Sequence, residues 1–382
     1  MILQICCNLA GSTVFPQLFE ALAAAGEEIQ VFVPEKRRDS LGKNIPQGVP
    51  VVQRLTVRRS DALFFFRKAQ RSVPVLRHEV DLSRVRLVHA HTLFTDGSIA
   101  LALHKATGIP YGVTLRYSDT EVLWRLPWLR PLGRRILASA RFVAFTGEAV
   151  RARVLAQWVR GAAREALCHK SVVVPNGILP DWLDGAQKDC ATPVRVGFAG
   201  RLQERKRPMD ALRAVQLANA RGGRFMLDLC GSGPLEQPLR AALSPQDVYR
   251  GALAGMDAMK AFYRGIDLLL VPSSRETFGM VYLEAMSQGT PVIYTRGQGF
   301  DGQLPEGEVG LGVDCGDVSA MADALRALSG PDYAQRSARC VQAAKAYAWP
   351  AIAGRWQAVY AHALSEEDMA AKNGSKEGAN HA

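Results

Sequence analysis

The chain has 382 residues, 48% of them hydrophobic, with charge scattered throughout; this is enough for two domains with cores of their own and excludes a disordered or fibrous protein. The net charge of +11 lies in one half: residues 1–170 hold 25 Lys and Arg against 13 Asp and Glu, and the remainder is near neutral. An anionic partner for that half follows (a membrane surface, a phosphorylated lipid or an acidic glycan), and no nucleic-acid-binding motif accompanies the charge.

The opening "MILQICC" has no basic leader segment and reads as a first strand, not a signal peptide. No apolar run approaches the roughly 20 residues needed to cross a bilayer. Seven dispersed cysteines without a Cys-x-x-Cys pair point to reduced thiols in a cytoplasmic enzyme, not to zinc or a disulfide framework. Short apolar strands are predicted at 2–7, 29–33, 51–57, 86–90, 111–115, 142–145 and 172–174, alternating with helices such as 15–25 and 99–105. That is the pattern of a parallel sheet covered on both faces. The turn-rich "PNGILPDWLDGAQKDCATP" supplies a linker over 175–192. The alternation then restarts, with strands at 194–199, 224–229, near 248, 267–271 and 291–294 and helices near 209–219, 258–263 and 280–288. Three helical segments close the chain, the last at 350–364, and the polar residues 365–382 are expected to be disordered. Two successive doubly wound α/β domains are the natural reading, with ligands beyond the carboxyl ends of the strands and a cleft between facing domains.

Several turns carry residues suited to chemistry. In "VGFAGRLQERKRPMD" a buried strand turns at Gly200 into a helix, with Arg201 at the strand's end and Lys206 five residues on. Backbone N–H groups and two cations then converge, which suits a diphosphate; with Arg205 and Arg207 alongside, the same residues also describe a solvated basic turn. "CGSGPL" offers Gly231 and Gly233, which let a loop approach a ligand or merely close a turn, and Gly11 in "CCNLAGST" is similar. In "SSRETFGMVYLEAM", Glu276 lies in the approach to a helix beginning at Gly279, at the positive end of its dipole, where an ion pair would also fit. Glu284 lies inside that helix among apolar neighbours and needs a hydrogen-bonding partner, which vicinal sugar hydroxyls would provide.

Taken together, "GRLQERK", "GSGP" and "ETFGMVYLEAMSQGTPVI", in this order and spacing, resemble the retaining nucleotide-sugar glycosyltransferases of family 4. The two glutamates match that family's Glu-x7-Glu motif, "VVPNGI" (173–178) matches its interdomain Asn-Gly signature, and the resemblance covers 1–364. "IYTRGQGFDGQLPEGEVG" is most similar to bacterial transferases that assemble surface polysaccharides of the teichuronic-acid type. The resemblance implies an α/β GT-B fold: two Rossmann-like domains facing a cleft, 1–174 for the acceptor and 193–346 for the donor, with a helix at 347–364 packing back on the first. It implies a hexosyltransferase taking a UDP-sugar to a hydroxyl of a lipid-linked saccharide, cytoplasmic or peripheral on the inner membrane face. Arg201 and Lys206 would neutralise the leaving diphosphate, Glu284 would hold the ribose and Glu276 the transferred sugar. The N–H groups of Phe278, Gly279 and Met280 and the turns at Gly200, Gly231 and Gly233 would meet the donor, and Gly11 would approach it from the other domain. No Asp-x-Asp motif is present, so neither a metal nor a cofactor is expected; front-face attack requires no protein nucleophile.

The sequence also departs from the family pattern. Where many members carry a histidine after the fifth strand, "VTLRYSD" has Arg116, whose planar fork suits a phosphate or a sugar carboxylate, or an ion pair with Asp119. His91, just past a strand end, is expected to face the acceptor and serve catalysis; His89 is expected to be structural. Two segments, 58–77 and 123–135, mix aromatic and basic residues, fitting either membrane contact or a core in which Phe64, Phe65, Phe66, Trp124 and Trp128 are buried. A non-catalytic nucleotide-sugar or glycan-binding protein on the same fold is the alternative function. A dinucleotide oxidoreductase is disfavoured, because "NLAGSTVFP" lacks Gly-x-Gly-x-x-Gly.

Overall fold

The computed structural model of the protein describes residues 1–58, 61, 64–276 and 278–379. The chain forms two compact units: residues 1–146, 151–175 and 349–382, and residues 147–150 and 176–348.

In chain order the first unit comprises β1 (Ile2–Ile5), α1 (Val14–Ala24), β2 (Ile29–Glu35), β3 (Val51–Leu55), α2 (Phe65–Glu79), β4 (Leu87–Ala90), α3 (Thr95–Thr107) and β5 (Tyr111–Leu115). It continues through α4 (Arg130–Ser139), β6 (Val143–Phe145), α5 (Glu148–Gln157, whose residues 148–150 belong to the second unit), α6 (Ala162–His169) and β7 (Ser171–Val173). The strands form one parallel sheet in the order β3-β2-β1-β4-β5-β6-β7. β1, β4, β5 and β6 are buried at every position, as strands covered on both faces must be.

The second unit comprises β8 (Val194–Ala199), α7 (Pro208–Ala220), β9 (Phe225–Cys230), α8 (Glu236–Ala242), β10 (Val248–Gly251), α9 (Met256–Gly265) and β11 (Leu268–Leu270). α10 (Met280–Ser287), β12 (Val292–Thr295), β13 (Gly310–Val313), α11 (Val318–Leu328) and α12 (Tyr333–Lys345) follow. Its parallel sheet runs β10-β9-β8-β11-β12-β13. In each sheet the strand order reverses once, between β1 and β4 and between β8 and β11, and each reversal opens a crevice at the carboxyl ends of those strands.

Residues 176–192, expected as a linker, are built into the second unit. Ile178 and Trp182 are 1% and 8% exposed in its core. The buried Lys188 ammonium donates to Tyr263 O, Ile266 O and Thr290 Oγ1 at 3.0, 2.6 and 2.6 Å, capping the end of α9, and burial draws its pKa down to about 8. Turn-forming composition does not distinguish a free linker from a segment packed against the amino ends of a sheet's central strands.

The last helix, α13 (Trp349–Ala379), returns to the first unit. Its Trp349 indole donates to Gln17 at 2.8 Å, and Trp356 and Tyr360 cover the sheet at 2% and 1% exposure. The Tyr360 hydroxyl meets His89 Nδ1 at 2.8 Å and accepts from Gln4 Nε2 at 3.2 Å, while His89 Nε2 meets Thr114 Oγ1 at 2.7 Å. Burial pushes His89 well below the usual imidazole range, so it stays neutral and can donate on one nitrogen and accept on the other. The helix also continues past 364, so residues 365–379, expected to be disordered, are helical; Glu, Met, Ala and Lys between 366 and 372 favour helix and no proline interrupts them. The rest of that expected tail, 380–382, lies outside the described residues.

Because Trp356 packs on His89, Phe142 and Tyr360 at once, Trp356→Ala should lower stability by about 3–5 kcal/mol. Tyr360→Phe, which removes one hydrogen-bonding group, should cost about 1 kcal/mol; chemical denaturation with matched m-values checks both.

Candidate active site

The crevice of the second unit is built by three loops. After β8, Gly200 and Arg201 lead into a single turn at Glu204–Lys206. After β11 the chain passes Ser273 and Ser274 to Glu276 and enters α10 through Gly279. The loops are laced together: Ser274 N–H donates to Arg205 O at 2.8 Å, Leu202 N–H to Ser232 O at 2.9 Å and Gly200 N–H to Cys230 O at 3.1 Å. Across this lacing the Lys206 ammonium meets the Glu276 carboxylate, each side chain 13% exposed. Glu276 is fixed from behind as well, its N–H donating to Gln298 Oε1 at 2.9 Å and its carbonyl accepting from Gly299 N–H at 3.0 Å. The two residues singled out as diphosphate and sugar ligands therefore already touch each other. Arg201 stands exposed at the strand end.

Gly279 holds φ at 86°, and a Cβ there would strike the Tyr282 ring at 2.4 Å. The glycine lets the chain turn sharply into α10. The N–H groups of Phe278 and Gly279 make no hydrogen bond among the described residues, which leaves them available at the helix's positive end. Met280 opens α10, and the Phe278 side chain is core, 2% exposed. One turn and a half into α10, Glu284 Oε2 accepts from the Tyr263 hydroxyl at 2.9 Å. Burial raises the Glu284 pKa while the tyrosine lowers it. Tyr263, 21 residues upstream on α9, is the partner that sequence reasoning missed; no local pattern connects the two.

Gly231 and Gly233, expected to admit a ligand, are required by the loops themselves. A Cβ at Gly231 would lie 1.9 Å from Gly200 O and one at Gly233 2.4 Å from Leu202 O. Their smallness lets the turn after β9 press on the turn after β8.

In the first unit the crevice lies at the ends of β1, β4 and β5. Gly11 is exposed in the short turn after β1, with open space about it. His91, expected to face the acceptor, is completely buried. Its Nε2 meets Gln4 Oε1 at 2.8 Å, its ring packs edge-on against Phe15 and Phe19, and Nδ1 is enclosed without a hydrogen-bond partner among the described residues. Burial holds it far below the usual imidazole range. The residue past the strand end turns back beneath α1, so position along the chain misjudged its direction. Arg116 is half-buried with its guanidinium 4.9 Å over the Phe15 ring.

Two aspartates fasten these loops: Asp96, which the sequence did not single out, and Asp119, considered there only as an ion-pair partner of Arg116. Asp119 accepts from the N–H groups of Leu93, Phe94 and Arg116 at 3.0, 3.3 and 2.9 Å. Asp96 accepts from Cys7 N–H and the Thr92 hydroxyl, both at 3.0 Å. Burial raises the pair to about 6 and about 7 respectively. The aromatic-basic segments divide between the two expectations: Phe65 and Trp124 are buried, whereas Phe64, Phe66 and Trp128 are 49%, 54% and 62% exposed. Positions 59, 60, 62 and 63 of the first segment lie outside the described residues.

Comparison with known proteins places this arrangement. The family described as Glycosyltransferase Family 4 matches residues 11–182, and that described as Glycosyl transferases group 1 matches residues 193–330. A D-inositol 3-phosphate glycosyltransferase of Corynebacterium glutamicum is 32% identical over 46% of this chain and 44% of its own length, so the match spans about half of that relative. A phosphatidyl-myo-inositol mannosyltransferase of Mycobacterium leprae is 29% identical over 90% of each chain. Among solved structures, Anabaena HepE in complex with UDP superposes with a TM-score of 0.70 at 15% identity, covering 94% of this chain and 99% of that one. The two family matches span nearly the whole of both sheets and carry the lysine turn and the glutamate helix between them: the chain belongs to glycosyltransferase family 4 and has its GT-B fold.

Proposed function

We propose that the protein is a retaining, metal-independent transferase that moves a sugar from a UDP-sugar to a hydroxyl of a lipid-linked saccharide during assembly of a bacterial surface polysaccharide. The observation that carries this is the contact of Lys206 with Glu276 beside Glu284 and the unpaired N–H groups that open α10. A nucleoside diphosphate leaves readily once its charge is neutralised, so fixed cations and helix-end donors are the main catalytic requirement. Arg201 and Lys206 supply the cations. Glu284, oriented by Tyr263, grips the ribose hydroxyls, and Glu276 the hydroxyls of the transferred sugar. When the donor enters, Lys206 is shared between Glu276 and the phosphate, so the pair is divided between the two ends of the scissile bond. The UDP bound to HepE favours the uridine donor.

Peripheral membrane residence follows from the first unit's positive charge and its exposed Phe64, Phe66 and Trp128, with Arg67 stacked on both phenyl rings at 5.0 and 5.8 Å. Among the described residues no helix is long and apolar enough to cross a membrane.

Lys206→Ala and Glu276→Ala should each lower kcat by about 10²–10³-fold while the protein stays folded; full activity in both variants would remove this mechanism. Glu284→Gln should chiefly raise the donor KM. The donor itself is identified by a thermal-shift and hydrolysis panel of nucleotide sugars with chelator present: one UDP-sugar should stabilise the protein and be slowly cleaved, and binding of only GDP- or ADP-sugars would refute the uridine assignment. Co-sedimentation with phosphatidylglycerol vesicles should be strong, weak with phosphatidylcholine, and reduced in Phe66→Ser/Trp128→Ser; equal binding to both vesicle types would exclude the electrostatic contact.

A further inference from the structure

A cavity of about 700 Å³ lies in the first unit between α4, α5 and α6. Its floor is apolar: Leu137, Trp158 and Leu167 are 3%, 5% and 2% exposed, and the Trp158 ring is stacked on Trp124 at 3.7 Å. Around the floor stand Arg130, Arg134, Arg160 and Lys170, and among the described residues no carboxylate lines the cavity. Two of these cations are held by backbone oxygens. Arg130 Nε donates to Trp124 O at 3.1 Å, and Lys170 Nζ to Ala138 O and Ala140 O at 2.7 and 2.9 Å. Arg134 and Arg160 are exposed and have no ion pair or hydrogen bond among the described residues.

Four cations converging on one hollow repel each other, and no side chain of the cavity answers them. An anion does. The body attached to that anion is apolar, because among the described residues Gln157 and the Trp158 indole N–H are the uncharged polar groups that side chains bring to the wall, too little to recognise a sugar or a nucleobase. Leucine, alanine and the edge of an indole are the lining an alkyl chain takes. Trp128, 62% exposed, lies two residues before Arg130 and supplies the kind of aromatic that rests at a membrane interface.

We propose that this cavity binds the phosphate head of a lipid. The phosphate sits among Arg130, Arg134 and Arg160, and the first methylenes of the chain rest on Leu137, Trp158 and Leu167. One end of the cavity adjoins the amino ends of β6 and β7, where Lys170 is anchored, at the opposite end of the sheet from the loops of Gly11, His91 and Arg116. It is thus separate from the candidate active site and does not depend on the identity of the donor.

The test is calorimetric titration of the full chain with dodecyl phosphate below its micellar concentration. The expected result is one saturable site, weakened at least tenfold in Arg134→Glu/Arg160→Glu, whose exposed positions leave the fold intact by circular dichroism; Arg134→Gln should show a smaller loss in the same direction. Dodecyl maltoside, with the same tail and no charge, and inorganic phosphate, with the charge and no tail, should each bind at least tenfold more weakly. The proposal is overturned if the double variant binds dodecyl phosphate as tightly as the unaltered chain, if dodecyl maltoside binds equally well, or if inorganic phosphate matches the full affinity. Donor hydrolysis by the double variant should be unchanged, so failure of the lipid site and failure of the proposed donor chemistry are read separately.

Discussion

The contact between the Lys206 ammonium and the Glu276 carboxylate organises the second unit's crevice. Two charges largely screened from water, each side chain 13% exposed, are stabilised when each answers the other, and to do so the turn after β8 and the loop after β11 must be held in one arrangement. The backbone bonds from Ser274 to Arg205 and from Gly299 to Glu276 supply that arrangement. The glycines of the neighbouring turn let it pack against the turn after β8 without a side chain intervening. The ion pair is thus a result of the fold and also a stored capacity: either charge can be redirected to a ligand that brings its own countercharge.

The first unit solves the same loop-fixing problem with carboxylates that accept backbone N–H groups. Asp119 collects three such donors from the loops after β4 and β5, and Asp96 ties the turn after β1 to the start of α3. These aspartates are fully buried; burial pushes both carboxyl groups up, and the N–H and hydroxyl donors, with the Arg116 charge beside Asp119, pull them part of the way back. Behind them a line of neutral groups, His91, Gln4, Tyr360, His89 and Thr114, joins the sheet to the last helix. A crevice whose walls are secured this way holds Arg116 by its own backbone N–H and leaves Gly11 exposed.

Much of this was legible in the sequence. Strands with uninterrupted apolar runs, such as Val194–Ala199, announce burial on both faces, and the strand–helix alternation gives the doubly wound order. Glu284 was readable because a carboxylate amid Val281, Leu283 and Met286 conflicts with its surroundings. What escaped depends on distance or direction. Tyr263 meets Glu284 across two helices, β13 is a glycine-rich edge strand with little apolar signal, and His91 differs from an outward-facing residue only by the way its side chain turns. Gly231 and Gly233 left two readings open for a related reason: a glycine records close approach but not what approaches.

The first unit is discontinuous. Its sheet is complete by Val173, yet the helix carrying Trp356 and Tyr360 is encoded after the whole of residues 176–348. During synthesis the face around His89 and Phe142 therefore stays bare while the intervening unit, almost contiguous in the chain, emerges and closes its own core. The half translated second finishes first, and the half translated first waits for the last helix to leave the ribosome. While that helix is still inside the exit tunnel, the emerged chain holds one finished domain and one with an open apolar flank, so docking of the helix is the step that covers this flank against chaperones and aggregation.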